Sequence, residues 1–186
     1  MEPLEIAAGA FQLQPWAAHD AEDVFEACQD EQIQRFTTVP SPYAYADAEF
    51  FVGTVSPKGW ESGSAASFAV KDATTGQLLA AVGLHGFVGR DSSAELGYWC
   101  APWARGRGAT TAGARAVCRW AFDTGLVEAI RWVAAADNAA SKAVAAKLGF
   151  SFDGELRAYL GAWPPSEDVG QRRDALHGML LRGELT

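Results

Sequence analysis

Basic residues are scarce in this chain, and their scarcity already excludes a class of partners. Fifteen Lys and Arg stand against 23 Asp and Glu in 186 residues, a formal net charge of −8. General nucleic-acid binding needs a basic footprint on the phosphates, so no stable nucleic-acid partner is expected. Cysteine is sparse too: Cys28, Cys100 and Cys118 are odd in number and far apart. Such a set fits neither a disulfide framework nor metal-ligand spacing, and it suits a reducing cytoplasm. The histidines at 19, 85 and 177 are isolated, so neither a metal site nor a Ser-His-Asp triad is expected. No apolar run approaches the ~20 residues that span a bilayer. The opening Met1-Glu-Pro-Leu-Glu-Ile6 lacks a basic region before an apolar stretch, so neither membrane nor secretion is expected. Internal repeats, low-complexity segments and Gly/Pro/Ser-rich linkers are missing as well, which predicts one domain over residues 1–186.

What is present is ordinary for a folded globular protein: hydrophobic residues are 49% and charged residues 20%. Net acidity would steer a cationic acceptor, an amine or a basic peptide, or simply keep the protein soluble. Apolar patterning predicts a strand at Phe11–Gln14, a helix at His19–Cys28, a loop at Thr37–Tyr45 and a short helix at Ala46–Val52. A loop is expected from Ser56 through Gly63, then a hairpin of Ala66–Lys71 and Leu78–Phe87 about a Thr74-Thr-Gly76 turn. Next come a strand at Glu95–Cys100, a helix at Arg107–Asp123 stopped by Gly125, and a strand at Ile130–Ala135. Asn138 should cap a helix ending at Leu148, with Gly149 in the left-handed terminal position. Strands at Phe150–Tyr159 and Ala175–Leu181 close the chain around a loop at 161–170. Strand and helix alternate through the second half, as in an α/β domain.

The most informative stretch is Glu95-Leu-Gly-Tyr-Trp-Cys-Ala-Pro-Trp-Ala-Arg-Gly-Arg-Gly-Ala-Thr-Thr111. It reads as strand, glycine turn and helix. Glycines 106 and 108 allow a tight turn with exposed N–H groups, and the helix start adds unpaired donors and partial positive charge. That makes an anion cradle for a phosphate or pyrophosphate. A nucleoside-triphosphate loop is excluded, because no Lys-Ser/Thr pair follows these glycines. The dinucleotide fingerprint fails too, since Gly113 comes too late for its third glycine.

Downstream runs Ala136-Asp-Asn-Ala-Ala-Ser-Lys-Ala-Val-Ala-Ala-Lys-Leu-Gly-Phe150. With Arg105-Gly-Arg-Gly-Ala109, Asn138-x-x-Ser141 and Lys147-Leu-Gly-Phe150 in this order, the chain resembles the GNAT superfamily of acyl-CoA-dependent N-acyltransferases. Leu13-Gln-Pro-Trp16 and Arg173-Asp-Ala175 are similar to its ribosomal-protein N-terminal acetyltransferase branch. The resemblance covers about residues 10–182 and departs from the family where Trp103 replaces a Gln or Arg. It implies a mixed α/β fold: a mostly antiparallel sheet of about seven strands, splayed between the fourth and fifth and flanked by helices. It implies acetyl-CoA as acyl donor, no metal, and a small amine or protein N-terminus as acceptor, in a monomer or homodimer. A non-catalytic acyl-CoA-binding module on the same fold is the alternative.

The resemblance also assigns residues. The CoA pyrophosphate would lie on Arg105, Gly106, Arg107, Gly108, Ala109 and Thr110; the arginines would add charge-assisted contacts or remain solvated, and Thr110 would donate its hydroxyl or cap the helix. Tyr98, Trp99, Cys100 and Ala101 would give main-chain contacts to pantetheine, with a bulge at Gly97. A backbone N–H near Trp99 or Cys100 would meet the oxyanion. Glu95 would be the general base or a strand carboxylate bonded to its neighbours. Asn138 would contact the cofactor or only cap its helix, with Ser141 close to the cofactor. Tyr159 or Ser141 would serve the departing thiolate, unless Tyr159 only packs. Arg35, Tyr43, Trp60, His85 and Trp163 fall where the family builds its acceptor pocket, His85 as a possible second base.

Overall fold

The computed structural model describes residues 1–89, 92–161 and 172–186. Those residues form one open sheet of eight strands in the order β1-β2-β3-β4-β5-β6-β8-β7. The strands are β1 (Ile6–Ala8), β2 (Phe11–Pro15), β3 (Ala65–Asp72), β4 (Leu78–Val88), β5 (Ser93–Cys100), β6 (Ala129–Ala135), β7 (Ser151–Leu160) and β8 (Arg173–Leu181). The α-helices are α1 (Ala21–Cys28), α2 (Glu31–Phe36), α3 (Tyr45–Phe50), α4 (Ser56–Ser62), α5 (Ala109–Asp123) and α6 (Ala139–Leu148). All neighbouring strands run antiparallel except β5 and β6.

That exception is where the sheet opens. The β5–β6 ladder joins Ser93 to Ala129, Ala94 to Ile130 and Glu95 to Arg131, then stops, although β5 runs on to Cys100 and β6 to Ala135. The expected splay between the fourth and fifth of the sequence-derived strands therefore stands here, between β5 and β6. Helix α5 supplies the crossover between them, as parallel neighbours require. Its buried Val117, Cys118, Ala121 and Phe122 face the sheet, while Trp60, Phe68 and Trp120 pack edge to face behind β3, with Trp60 and Phe68 centroids 5.1 Å apart. Lys71 and Asp20 form an ion pair of 2.6 Å, almost fully buried, that ties the turn before α1 to β3. Asp20 also accepts the Ala17 N–H at 2.9 Å, so the buried carboxylate is hydrogen-bonded on both oxygens.

Several elements differ from the sequence reading. The expected loop from Ser56 through Gly63 is helix α4, joined to α3 through a π turn at Phe51–Val55. Pro57 lies in the first turn of α4 directly after the π turn, and the helical path runs through it without a break. Helix α2 was not foreseen, although Asp30 caps it with Oδ1, accepting from Gln32 N at 3.0 Å and Ile33 N at 3.1 Å. Strand β1 is too short to announce itself by alternation. No bulge occurs at Gly97, which pairs in register with Gly83; the irregularity in that ladder falls between His85 and Val88. Trp60 is 2% exposed and sits in the core, its indole bonded to Ser67 O, and it is not among the residues lining the cavity at the opening of the sheet. The loop expected at 161–170, with Trp163, lies outside the described residues apart from Gly161.

The turn after α6 matches expectation closely. Gly149 takes φ 96°, and a Cβ there would lie 2.3 Å from Glu184 O. Gly149→Ala should therefore destabilise the protein by more than about 1 kcal/mol, combining left-handed strain with a backbone clash. An unchanged midpoint in chemical denaturation would contradict this account.

Candidate active site

A cavity of about 1220 Å³ occupies the opening of the sheet. Its floor follows from strand parity. Ala101 N donates to Leu79 O at 2.9 Å, so odd-numbered residues of β5 turn their main-chain groups toward β4. Ser92 O accepts from Glu128 N at 2.7 Å, so even-numbered residues face the β6 side. The Glu95–Arg131 pairing uses the Leu96 N–H, and beyond it there is no β6 partner, which leaves the Leu96 carbonyl and the main-chain groups of Tyr98 and Cys100 directed into the gap. Of the four residues expected to offer main-chain contacts, only Tyr98 and Cys100 have main-chain groups directed into the gap. Trp99 faces β4, and Ala101 is fully engaged, since its carbonyl accepts Ala104 N at 2.9 Å.

At the end of β5 the chain makes a short 3-10 turn at Pro102–Ala104, tied to β4 by the Trp103 indole, which donates to Leu78 O at 2.7 Å. Gly106 and Gly108 then adopt φ 78° and 80°, and α5 begins at Ala109 with no side-chain cap. The N–H groups of its first turn have no carbonyl partners earlier in the helix. Both arginines of this loop hold carboxylates: Arg105 binds Asp30 at 2.6 Å and Arg107 binds Asp72 at 2.7 Å. Burial is the strongest single influence on the Asp30 carboxyl and would raise it, but the Arg105 bond and charge together with the Ile33 and Gln32 N–H groups outweigh it and hold the group below its ordinary value. Asp72 is lowered mainly by the Thr74 and Thr75 N–H groups, with Arg107 adding to them. Thr110 lines the cavity, and its buried hydroxyl has no partner in the protein. It does not cap α5, whose N-cap is Gly108. An orphaned buried hydroxyl beside free N–H groups fits an oxyanionic ligand.

Glu95 lines the same cavity at the point where the strands part. His85, its cross-strand neighbour on β4, places Nε2 3.6 Å from Glu95 Oε1. That imidazole is the main influence holding the carboxyl below the ordinary value; partial burial opposes it, and Arg131 and His177 reinforce it. Gly97 makes room for this pair: a Cβ there would lie 3.1 Å from His85 Cε1.

Across the gap, Asn138 caps α6 by accepting Ser141 N at 3.0 Å. Ser141 Oγ accepts the Trp132 indole N–H at 3.1 Å and donates to Tyr98 OH at 3.1 Å. Tyr98 OH donates in turn to Ser141 O at 2.9 Å, and burial pushes this phenol up to about 12. Tyr159 stands elsewhere, on the edge strand β7, 52% exposed and not among the cavity-lining residues. Ser141 is thus the one of the two candidate donors that the fold brings to the cavity.

On the acceptor side the lining includes Arg35, Tyr43 and His85. Arg35 is held by Asp137 at 2.7 Å, and Tyr43 is largely buried. Sequence reasoning missed the wall formed by Asp47, Phe50, Phe51 and Val55, whose 47/51/55 spacing was the available signal. It also missed Trp132, which reads as a plain strand residue.

The model of the acetyltransferase (GNAT) domain family matches residues 11–151. The chain belongs to the GNAT acetyltransferases. The Bacillus subtilis protein YdaF, whose name assigns it provisionally as a ribosomal N-acetyltransferase, is 33% identical over 109 residues. That match covers 59% of this chain and 56% of the relative, a little over half the length of each. Among solved structures, Mycobacterium smegmatis RimJ, in complex with CoA-disulfide, superposes with a TM-score of 0.81 at 22% identity, covering 99% of this chain and 88% of that one. A ribosomal-protein α-N-acetyltransferase, RimL, solved with coenzyme A, gives 0.83 at 15% identity over 96% of this chain and 98% of that one. These likenesses establish the GNAT fold of the eight-stranded sheet.

Thr110→Val offers a direct check on the loop. Removing an unpartnered buried hydroxyl without changing shape should leave the ligand-free protein as stable or stabilise it by about 1 kcal/mol. CoA affinity should fall roughly tenfold through loss of a bond to a charged oxygen. A destabilised protein with unchanged affinity in calorimetry would refute the assignment.

Proposed function

We propose that this GNAT protein transfers an acetyl group from acetyl-CoA to a primary amine, most simply a protein N-terminus, by direct attack in a ternary complex. The observation that carries the reading is the unpaired run of β5. It starts beside Glu95, offers Tyr98 and Cys100 main-chain groups to an extended ligand, and leads into the glycine turn at 106–108. Pantetheine would pair with β5 much as a strand would, and the pyrophosphate would meet the first-turn N–H groups of α5 and the Thr110 hydroxyl. The likeness to YdaF, RimJ and RimL supports a ribosomal-protein N-terminus as acceptor.

The residues then divide the work. Holding thioester and amine together supplies much of the rate, so no activated nucleophile is required. The Cys100 N–H, directed into the gap, would meet the growing negative charge on the thioester oxygen. Glu95, kept ionised by His85, would receive the ammonium and take its proton directly or through water. Ser141 would hydrogen-bond the departing sulfur. Arg35, Tyr43 and His85 would border the acceptor, with Phe50, Phe51 and Val55 as an apolar wall.

Turnover of acetyl-CoA with a panel of N-terminal peptides and small amines, followed by thiol release, tests the proposal. Tight CoA binding without turnover would instead support a binding module. Gly108→Asp puts a negative charge where phosphate would approach, and CoA binding should fall severely with unchanged far-UV circular dichroism. Unaltered affinity would remove the loop from the site.

Glu95→Gln should lower turnover by about 10²-fold while the KM for acetyl-CoA stays within a few-fold. The pH sign follows from the depressed carboxyl. Glu95 is ionised above its folded pKa, so its contribution persists through neutral pH and is lost only as pH falls below the ordinary carboxylate value, ~4.3. A limb nearer neutrality should belong to the acceptor amine and survive in Glu95→Gln. Wild-type turnover in that variant would exclude Glu95 as the base.

A further inference from the structure

Trp132 is 1% exposed and would pass for a core residue, yet its indole N–H points at the side chain that opens α6. A hydroxyl oxygen offers one proton and two lone pairs. At Ser141 one lone pair takes the Trp132 N–H at 3.1 Å, and the proton goes to Tyr98 OH at 3.1 Å. Tyr98 has its own proton committed to Ser141 O at 2.9 Å, so toward the Ser141 hydroxyl it can only accept. Asn138 fixes the Ser141 backbone at 3.0 Å. Hence three elements, β5, β6 and α6, converge on one oxygen and orient its proton toward the cavity edge of β5.

We infer that Trp132 is a positioning residue for acyl transfer, its indole N–H holding the Ser141 hydroxyl as a hydrogen-bond donor to the departing CoA sulfur. Tyr98 is the resting partner that the sulfur replaces. The inference rests on the proposed reading of the cavity as the acetyl-CoA site and of Ser141 as the donor. As the amine nitrogen bonds to the thioester carbon, the carbon–sulfur bond breaks and its electron pair passes to sulfur. The amine proton goes to Glu95 and on to solvent, and the thiolate takes a proton from solvent on release. Ser141 keeps its proton throughout, sharing it with sulfur while negative charge builds there. The Trp132 N–H opposes the charge that this sharing pushes back onto Ser141 Oγ, which strengthens the donated bond.

Steady-state kinetics of Ser141→Ala, Trp132→Phe and the double variant test the inference. Ser141→Ala should lower kcat about tenfold, the cost of one bond to a charged atom, with the KM for acetyl-CoA within about threefold. Trp132→Phe keeps an aromatic ring at the position but loses the pyrrole ring with its N–H, so, in a variant shown by circular dichroism to be folded, kcat should fall severalfold with KM again nearly unchanged. The double variant should be no slower than Ser141→Ala, because Trp132 acts only through that hydroxyl. Independent losses that multiply in the double variant would overturn the inference, as would wild-type kcat in Trp132→Phe. Wild-type kcat in Ser141→Ala with normal CoA binding would overturn the donor reading instead, and absence of CoA binding by the native protein would overturn the site. Indole ¹H–¹⁵N spectra give an arm that leaves Trp132 in place. One indole resonance should shift in Ser141→Ala and again on adding CoA to the native protein, and a static indole region in both would refute the contact.

Discussion

Everything proposed for this protein depends on one interruption of hydrogen bonding, the end of the β5–β6 ladder after Glu95 and Arg131. Unpaired main-chain groups inside a sheet are costly unless water or a ligand satisfies them, so a gap of this kind persists only where something holds the strands apart. Here the brace is polar. Tyr98 leaves β5 and its hydroxyl donates to the Ser141 carbonyl on α6, a bond that does not use the Ser141 hydroxyl. The two strands diverge yet stay fixed relative to each other, which a gap filled with apolar side chains would not achieve without closing the cavity. Because the crossover helix α5 starts just beyond the end of β5, its first-turn N–H groups lie at the carboxyl end of the parallel pair, where α/β sheets commonly hold ligands.

Helix α2 bridges the mouth of this opening. Its N-cap Asp30 is bound by Arg105 of the glycine loop, and Arg35 near its other end is bound to Asp137 before α6. Arg173 adds a bond to Arg35 O at 3.0 Å. The arginines are substantially exposed, so each pair contributes little to stability, at most about 1 kcal/mol. Their value is geometric: two weak tethers fix a six-residue helix across the cavity while leaving its contacts exchangeable for a phosphate or an acceptor. The Arg173-Asp174-Ala175 segment also works through the main chain, since Asp174 O accepts Ala136 N at 2.9 Å and its carboxylate accepts Ala158 N at 2.7 Å.

Local signals in the sequence carried the fold a long way. Gly149 takes the left-handed conformation its position suggested, glycines 106 and 108 make the expected tight turn, Asn138 caps α6, and the strand–helix alternation of the second half is real. What escaped depends on tertiary context. Pro57 and Gly59 look like loop residues until the first turn of α4 is known to begin at Ser56. Gly97 leaves room for the His85 ring and forms no bulge, a fact visible only once β4 and β5 are in register. Seven tryptophans are indistinguishable by composition, yet Trp60 is core, Trp103 anchors a turn, and Trp132 addresses a serine. Parity divided Tyr98 and Cys100 from Trp99 and Ala101, because the side of a strand that is open depends on where the neighbouring ladder ends.

The charge state of Glu95 bears on which amines suit the site. A carboxylate held below its ordinary pKa by His85 attracts an ammonium well but is a weak base toward it. Proton removal by such a group is easiest when the acceptor loses its proton readily. An α-amino group, with pKa about 7.7–8.0, is partly neutral near physiological pH, whereas a lysine side chain at about 10.4 is almost wholly charged. Deprotonating the lysine would cost about 3.5 kcal/mol more at 1.36 kcal/mol per pKa unit, with no strong base among the described residues that line the cavity to offset it. Burying a still-charged ammonium against Phe50, Phe51 and Val55 would be costly as well. On the proposed reading, the electrostatics of Glu95 and the apolar wall would favour the same acceptor, a chain terminus whose ammonium gives up its proton readily.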